Sequence, residues 1–465
     1  MKIKYSKYIQ VVHCKTDEHI IYNSRIGNPQ SLNNYAYELL VQIVNSKKDI
    51  ENLKKSEREF IDILIDNGIV ILENTNEEVF LNKIINGINK KLTKQAKKGE
   101  LLENLQLVVT NDCNLNCSYC YLSNQTENLK SGENLKMPVS TAIKIIDNFY
   151  CHLENINKKE TTLKFFGGEP LMNWDTVKES ISHIQKKWAN KIETNFIITS
   201  NGTLLKDDIA VVLKEHNFSV QISIDGFEDT HDKNRKTLNS QNTFSRVIQS
   251  LDILQKHDAF VIVSTVLTKE TYNHITFDFI DFLLSKNVKV LDLGLDFLGV
   301  FDSSYNEKIL LDKIFKLQNY GIDKGLYMSG YFGIPYRNLL NNTKHFCKAL
   351  GGFVSVEPNG QIFGCKRSNL LLGNIDNIPT ISTNSNYLKL VSRTVDSIPQ
   401  CKGCEIEAGC IGGCFVNHEV ENNIIFEPDS NFCNFYKEAT RTLLIKNENV
   451  SQYEKFDHIF NRKII

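Results

Sequence analysis

At 465 residues the chain is too long for a single small core and should hold about two to four domains. Its hydrophobic and charged fractions, 41% and 23%, are those of an ordinary globular protein, and a net charge of -1 offers no global field for nucleic acid or an anionic membrane. There is no signal-peptide core and no run of about 18 apolar residues, so a reducing cytosol is the expected compartment, where the 12 cysteines read as metal ligands rather than disulfides. Cys14 and Cys151 stand apart from the clusters and read as small buried apolar side chains.

Residues 1–75 read as a small α/β module. Tyr8 to His13, Ile20 to Asn23 and Ile69 to Leu72 are strand-like, while Asn33 to Val44 and Glu57 to Ile65 repeat apolar residues at helical spacing. This is a winged-helix-like pattern. It lacks a basic recognition helix, which favours a peptide partner added to a sheet edge over DNA. Residues 76–100 are polar and lysine-rich and read as a linker helix.

From Leu105 the pattern becomes β and α in alternation. Six β-branched runs, 105–110, 162–166, 194–199, 219–224, 259–266 and 290–297, are separated by helical stretches near 138–152, 173–188, 204–216, 243–256 and 272–285. Such alternation builds an α/β fold with a parallel sheet, either a partial (β/α)6 barrel of TIM type or a doubly wound sheet over residues 101–300. Both place the active site at the carboxyl ends of the strands.

Those ends carry the chemistry. After the first lies Cys113-x3-Cys117-x2-Cys120, whose three thiols supply only three corners of a four-cornered site, so the trio borrows a distant ligand or leaves a metal position open. After the second comes Gly167-Gly168-Glu169, whose glycines permit close backbone approach and whose carboxylate can accept from an ammonium group. The third is followed by Ser200-Asn201-Gly202, and the fourth by Ser223-Ile224-Asp225-Gly226 and His231 to Arg235. Each is an ordinary turn signal by itself, and their repetition at successive strand ends marks a site. Asp292 and Asp296, on the sixth strand, are further candidates to face a lumen.

Residues 301–345 read as a bridging region with an amphipathic helix from Tyr305 to Gly321. Between Cys347 and Cys365, two alternating runs flank Asn359-Gly360 and predict a hairpin. Cys401-x2-Cys404-x5-Cys410-x3-Cys414 and then Cys433 follow, a spacing compatible with a zinc ribbon or with iron–sulfur ligation. This cysteine-rich region spans 346–440 and leaves a tail, 441–465.

Together these motifs resemble the radical S-adenosylmethionine (SAM) enzymes with a C-terminal SPASM domain, over about residues 101 to 440. The Cys-x3-Cys-x2-Cys loop with Tyr119 before its last cysteine, the Gly-Gly-Glu loop and the seven cysteines from Cys347 onward carry the resemblance. It implies three 4Fe-4S clusters. One is held by Cys113, Cys117 and Cys120 with SAM on its fourth iron, one by Cys401, Cys404, Cys410 and Cys433, and one by Cys347, Cys365 and Cys414. The last set lacks a fourth cysteine, which leaves an open iron or a borrowed ligand. Gly167, Gly168, Glu169, Ser200, Asn201, Ser223 and Arg235 are the implied SAM contacts.

Members with a small N-terminal winged-helix module look like maturases of ribosomally made peptides, in which that module captures a leader sequence. The resemblance therefore implies a precursor peptide and a flavodoxin- or ferredoxin-type electron donor as partners, with no nucleic acid and no membrane. The expected reaction is formation of a cysteine thioether cross-link by a 5′-deoxyadenosyl radical. Carbon–carbon or carbon–oxygen cross-linking, epimerisation, formylglycine formation by an anaerobic sulfatase maturase, and a non-catalytic metal- or peptide-binding role are the alternatives.

Overall fold

The computed structural model describes residues 1–15, 17–120, 135–268, 270–295, 306–417, 419 and 424–446, so Asp296, Tyr305 and most of the tail lie outside the described residues. The chain forms two compact units. Of the described residues, one comprises Met1–Lys94, Phe332–Cys347 and the chain from Val391 to Lys446, and the other Gln95–Tyr331 and Lys348–Leu390.

In the first unit β2 (Ile9–His13), β3 (Glu18–Asn23) and β4 (Gly27–Asn33) form an antiparallel sheet, and β1 (Ile3–Tyr5) pairs with β5 (Val70–Leu72). Helix α1 (Asn34–Ser46) starts where the Asn33 side chain accepts from Ala36 N–H, and α2 (Lys55–Asp66) buries Ile61 and Leu64 one turn apart. Their apolar faces, with Leu40 and Ile43 of α1, meet Ile3, Ile21 and Val70 in one core. Strands β1 and β4 were not expected: β1 has three residues, and β4 contains Asn28 and Pro29 in place of apolar alternation.

The lysine-rich helix exists as α3 (Glu77–Lys97), and its acidic first turn is fastened to the connection between β1 and β2. Glu77 accepts from Ser6 Oγ and from Lys7 N–H at 3.0 Å, and Glu78 accepts from Tyr8 OH at 2.5 Å. The cysteine-rich region expected as one piece is divided: Lys348–Leu390, with Cys365, belongs to the other unit, and the part from Val391 belongs to this one, where Ala408 N–H donates to Ser24 C=O at 2.7 Å and buried Arg25 reaches Asp396 at 2.5 Å. Of the two isolated cysteines, Cys14 is half-buried and Cys151 is exposed, because Cys151 falls on the solvent side of an amphipathic helix whose neighbours Tyr150 and His152 turn inward.

The second unit is built on one ten-stranded sheet. Its order is β14 (Tyr327–Gly330), β13 (Val290–Leu295), β12 (Phe260–Leu267), β10 (Ser219–Ser223), β9 (Glu193–Ser200), β8 (Glu160–Gly167), β6 (Asn104–Thr110), β15 (Phe353–Val356), β16 (Gln361–Phe363) and β17 (Leu371–Asn374). Pairing is parallel from β14 to β15 and antiparallel beyond. From β6 to β14 the spatial order follows the chain order without reversal. Right-handed crossovers then put every connecting helix on the same face, which selects the partial-barrel alternative over a doubly wound sheet.

Side-chain alternation agrees. Leu163, Phe165, Val220, Ile222, Leu291 and Leu293 are buried under the helices, whereas Lys164, Gln221, Ser264 and Asp292 alternate with them and face the concave side. The expected hairpin forms about Gly360, whose φ is +85°, and its first strand also extends the barrel sheet by pairing with β6. Among the described residues, no helix is long and apolar enough to cross a membrane.

Candidate active site

The tri-cysteine loop leaves β6 at Thr110 and is pinned by a small antiparallel ladder. Its β7 (Leu115–Cys117) pairs with β11 (Arg235–Thr237), setting Cys117 opposite Arg235. Ser118 N–H donates to Asn234 C=O at 3.0 Å, and Cys120 N–H to Cys117 C=O at 3.1 Å. Donors converge on the first sulfur: Leu115 N–H lies 3.4 Å from Cys113 Sγ and Asn201 Nδ2 3.9 Å. Burial pushes the Cys113 thiol up to about 12; the Leu115 bond opposes this, while Glu169, Cys117 and Cys120 add to it. Burial also raises Cys117, against the Arg235 charge.

Three mutually sensed thiols with N–H groups aimed at sulfur fit the donor set of an iron–sulfur cluster, in which bound thiolates are stabilised by such hydrogen bonds. Among the described residues no three His, Cys, Asp or Glu side chains converge on a single-ion site. Thiolates of a four-iron cluster each bind their own iron, so they need not converge.

The second strand end locks against this loop. Gly168 N–H donates to Thr110 C=O and Glu169 N–H to Asp112 C=O, each at 2.9 Å. A Cβ on Gly168 would stand 2.3 Å from the Asp112 carbonyl oxygen, so the close approach these glycines permit is to the backbone preceding Cys113. Glu169 is fully buried and accepts from Leu171 N–H at 3.0 Å, Ser200 Oγ at 2.8 Å and Asn201 N–H at 2.7 Å. Burial outweighs these donors and pushes its carboxyl up to about 7. The Asn201 amide also donates to Asn114 Oδ1 at 3.0 Å, so Glu169, Ser200 and Asn201 form one network with the cluster loop.

At the fourth end, Ser223 is half-buried and in register with Ser264 of β12. Asp225, two residues on, organises the region. Fully buried, it accepts from Arg235 Nε at 2.8 Å, Val266 N–H at 3.2 Å and the Tyr119 hydroxyl, while the Arg235 guanidinium lies 5.3 Å from the Tyr119 ring centroid. The site prediction did not include Asp225, although its Asp-Gly position at a strand end was the available signal. His231 Nδ1 faces Asp225 N–H at 3.4 Å and its Nε2 faces Thr243 Oγ1 at 3.2 Å, an arrangement that suits a neutral ring. Burial, then Arg235, pushes it down to about 4.

In the first unit, Cys401, Cys404, Cys410 and Cys433 group together: burial drives Cys401 up to about 12 and Cys410 well up, and in each case the neighbouring thiols of this set add to the shift. The loop that carries them is tied by Arg393, fully buried, which donates to the carbonyls of Ile425, Ile411, Gly412, Gly413 and Glu427 at 2.6–3.2 Å. All five guanidinium donors can thereby be used. No local sequence signal marks Arg393, because its partners lie 18–34 residues away. Cys347 and Cys414 belong to this unit and add to the electrostatic environment of Arg393. Cys365 belongs to the barrel unit, next to Lys366, which pairs with Glu357 at 2.7 Å and Asn111 at 2.8 Å.

Residues 107–280 match the model of the Radical SAM superfamily. The chain is 29% identical to the radical SAM cyclopropyl synthase TigE of Paramaledivibacter caminithermalis, over 97% of each chain. It is also 29% identical to a cysteine-type anaerobic sulfatase-maturating enzyme of Clostridium novyi, over 70% of this chain and 91% of that one. Among solved structures, Streptococcus suis SuiB bound to the precursor peptide SuiA superposes with a TM-score of 0.56 at 16% identity, covering 93% of this chain and 99% of that one.

Proposed function

We propose that this chain, which belongs to the radical SAM superfamily, modifies a ribosomally made precursor peptide. When bound, a reduced four-iron, four-sulfur cluster and SAM supply a 5′-deoxyadenosyl radical that abstracts a substrate hydrogen. Cys113, Cys117 and Cys120 hold that cluster. Gly167, Gly168, Glu169, Ser200, Asn201, Ser223 and Arg235 frame SAM, and Asp225 aims Arg235. The two C-terminal sets, Cys401/Cys404/Cys410/Cys433 and Cys347/Cys365/Cys414, hold auxiliary clusters.

The observation that carries the peptide reading is length. The likenesses to TigE and SuiB run nearly the whole chain, whereas that to the sulfatase-maturating enzyme stops at 70% of it. Residues 1–75 then act as a winged-helix-like leader-recognition module. Strand β2 is the edge suited to strand addition, because Pro29 removes a donor from β4 at the other edge.

The full-length likeness to a cyclopropyl synthase favours carbon–carbon bond formation. A cysteine thioether is the second reading, favoured by the missing fourth cysteine beside Cys347, Cys365 and Cys414. The proposed setting is cytosolic, with a flavodoxin- or ferredoxin-type donor supplying electrons.

The test is anaerobic reconstitution with iron and sulfide, reduction, and incubation with SAM and synthetic peptides encoded by short reading frames beside the gene. Expected are 5′-deoxyadenosine and a peptide lighter by about 2 Da, with all substrate cysteines still open to alkylation for carbon–carbon closure and one blocked for a thioether. Failure to form 5′-deoxyadenosine would overturn the radical assignment. Its formation with every peptide left intact would overturn the peptide assignment.

A further inference from the structure

The barrel lumen contains two charged side chains that the SAM-cluster site does not use. Lys164 lies on β8 between Leu163 and Phe165, both fully buried under the helices, so its own side chain turns to the concave face. Its ammonium sits 5.2 Å from the Phe166 ring centroid and has no hydrogen-bond or ion-pair partner among the described residues. Asp292, on β13, accepts from Ser329 Oγ at 2.5 Å through Oδ1, which fixes the carboxylate and leaves Oδ2 as an acceptor. Each residue stands three positions before the last of its strand, Gly167 and Leu295, which puts both about 10 Å below the rim where the cluster loop lies.

Enclosure pushes the Lys164 amine down, and Asp292 and then Cys365 oppose the shift, so both lie within electrostatic reach of Lys164. Of the other concave positions, Gln106, Thr199, Gln221 and Ser264 are polar and uncharged, and Val108, Phe166, Ile262 and Val266 are apolar. An enclosed ammonium with unmet donors opposite a carboxylate with an unmet acceptor is complementary to a neutral dipole. A carboxylate ligand would meet Asp292, and an ammonium ligand would meet Lys164.

Resting on the peptide-modifying reading above, we infer that Lys164 and Asp292 anchor one main-chain amide of the substrate segment, Lys164 donating to its carbonyl and Asp292 accepting its N–H. This sets the depth at which the reacting residue hangs below the rim. The pair are positioning residues for the radical step.

The test uses the reconstituted full chain and the synthetic peptide that the wild-type enzyme modifies, with binding followed by fluorescence anisotropy under anaerobic conditions. Lys164→Met removes the donor, and Asp292→Asn turns an amide N–H toward the substrate N–H while keeping the Ser329 bond. Each should weaken peptide binding about tenfold or more, the double variant should lose less than the product of the two, and Lys164→Arg should recover part of the Lys164→Met loss. Iron content and far-UV circular dichroism report whether each variant is folded. As a test independent of variant folding, a scan of peptide backbone N-methylation should find one position that weakens wild-type binding about tenfold but does not weaken Asp292→Asn further. Folded single variants within twofold of wild type, or no sensitive N-methyl position, would overturn the inference while leaving the peptide reading intact. A wild-type enzyme that modifies no peptide would overturn that reading and the inference with it.

Discussion

Two residues show how far a side chain's role depends on its surroundings. Gly168 sits at a strand end where a turn would suffice, yet its missing Cβ is what allows the second strand end to close on Asp112. Gly168→Ala should therefore displace the backbone one residue before Cys113, and iron bound after reconstitution should fall well below wild type while the far-UV spectrum is kept. Retained iron would separate that glycine from the cluster loop. His231 is held neutral in the fold by burial and by Arg235, and its pKa is about 4 instead of the ordinary 6.5. The unfolded chain takes up this proton as pH falls below 6.5, and the folded chain does so only near 4. Stability should then fall by roughly 3 kcal/mol across that interval, and His231→Gln should flatten this part of the pH profile of the urea midpoint.

At the level of elements, the cluster loop is held from two sides: by β11, which lies beyond the fourth strand, and by the Gly-Gly-Glu loop beyond the second. Local periodicity located the six parallel strands from β6 to β13 and the main helix between each successive pair, because burial on alternate residues and on helix faces writes itself into the sequence. It did not locate β7, β11 or β14, which have three or four residues and are strands only because a distant partner pairs with them. The β15–β16 hairpin was legible through Asn359-Gly360, but its pairing with β6 was not. A Cβ at Gly360 would make only ordinary contact with Ile375, so Gly360→Ala tests backbone strain alone at φ +85°. A cost of about 1–2 kcal/mol is expected in urea denaturation, and no loss would mean that the turn relaxes.

At the level of the whole molecule, residues 1–94 and the cysteine-rich segment from Val391 onward make one compact unit. Arg25 reaches Asp396, Tyr22 OH donates to Glu405 C=O at 3.1 Å, and Ser24 C=O receives Ala408 N–H. Deleting residues 1–75 should therefore do more than abolish the peptide capture proposed for them. It should expose the partners of Arg25 and Tyr22 and reduce the iron bound on reconstitution at the site proposed for Cys401, Cys404, Cys410 and Cys433. A truncated protein with full iron content would show that the cysteine-rich segment stands without the N-terminal module.

The sequence by itself determined the alternation of strands and helices, the three cysteine groups and the strand ends that carry Glu169, Ser200, Asn201 and Ser223, since burial period and ligand spacing are local properties. Only the tertiary structure decided that the sheet curves with all its helices outside, that Asp225 and His231 brace Arg235 beside Cys117, that Arg393 ties the C-terminal loop, and that Lys164 and Asp292 share the lumen. These depend on which distant strand lies next to which, and a charge on an inward-facing position reads in the sequence like any other polar residue.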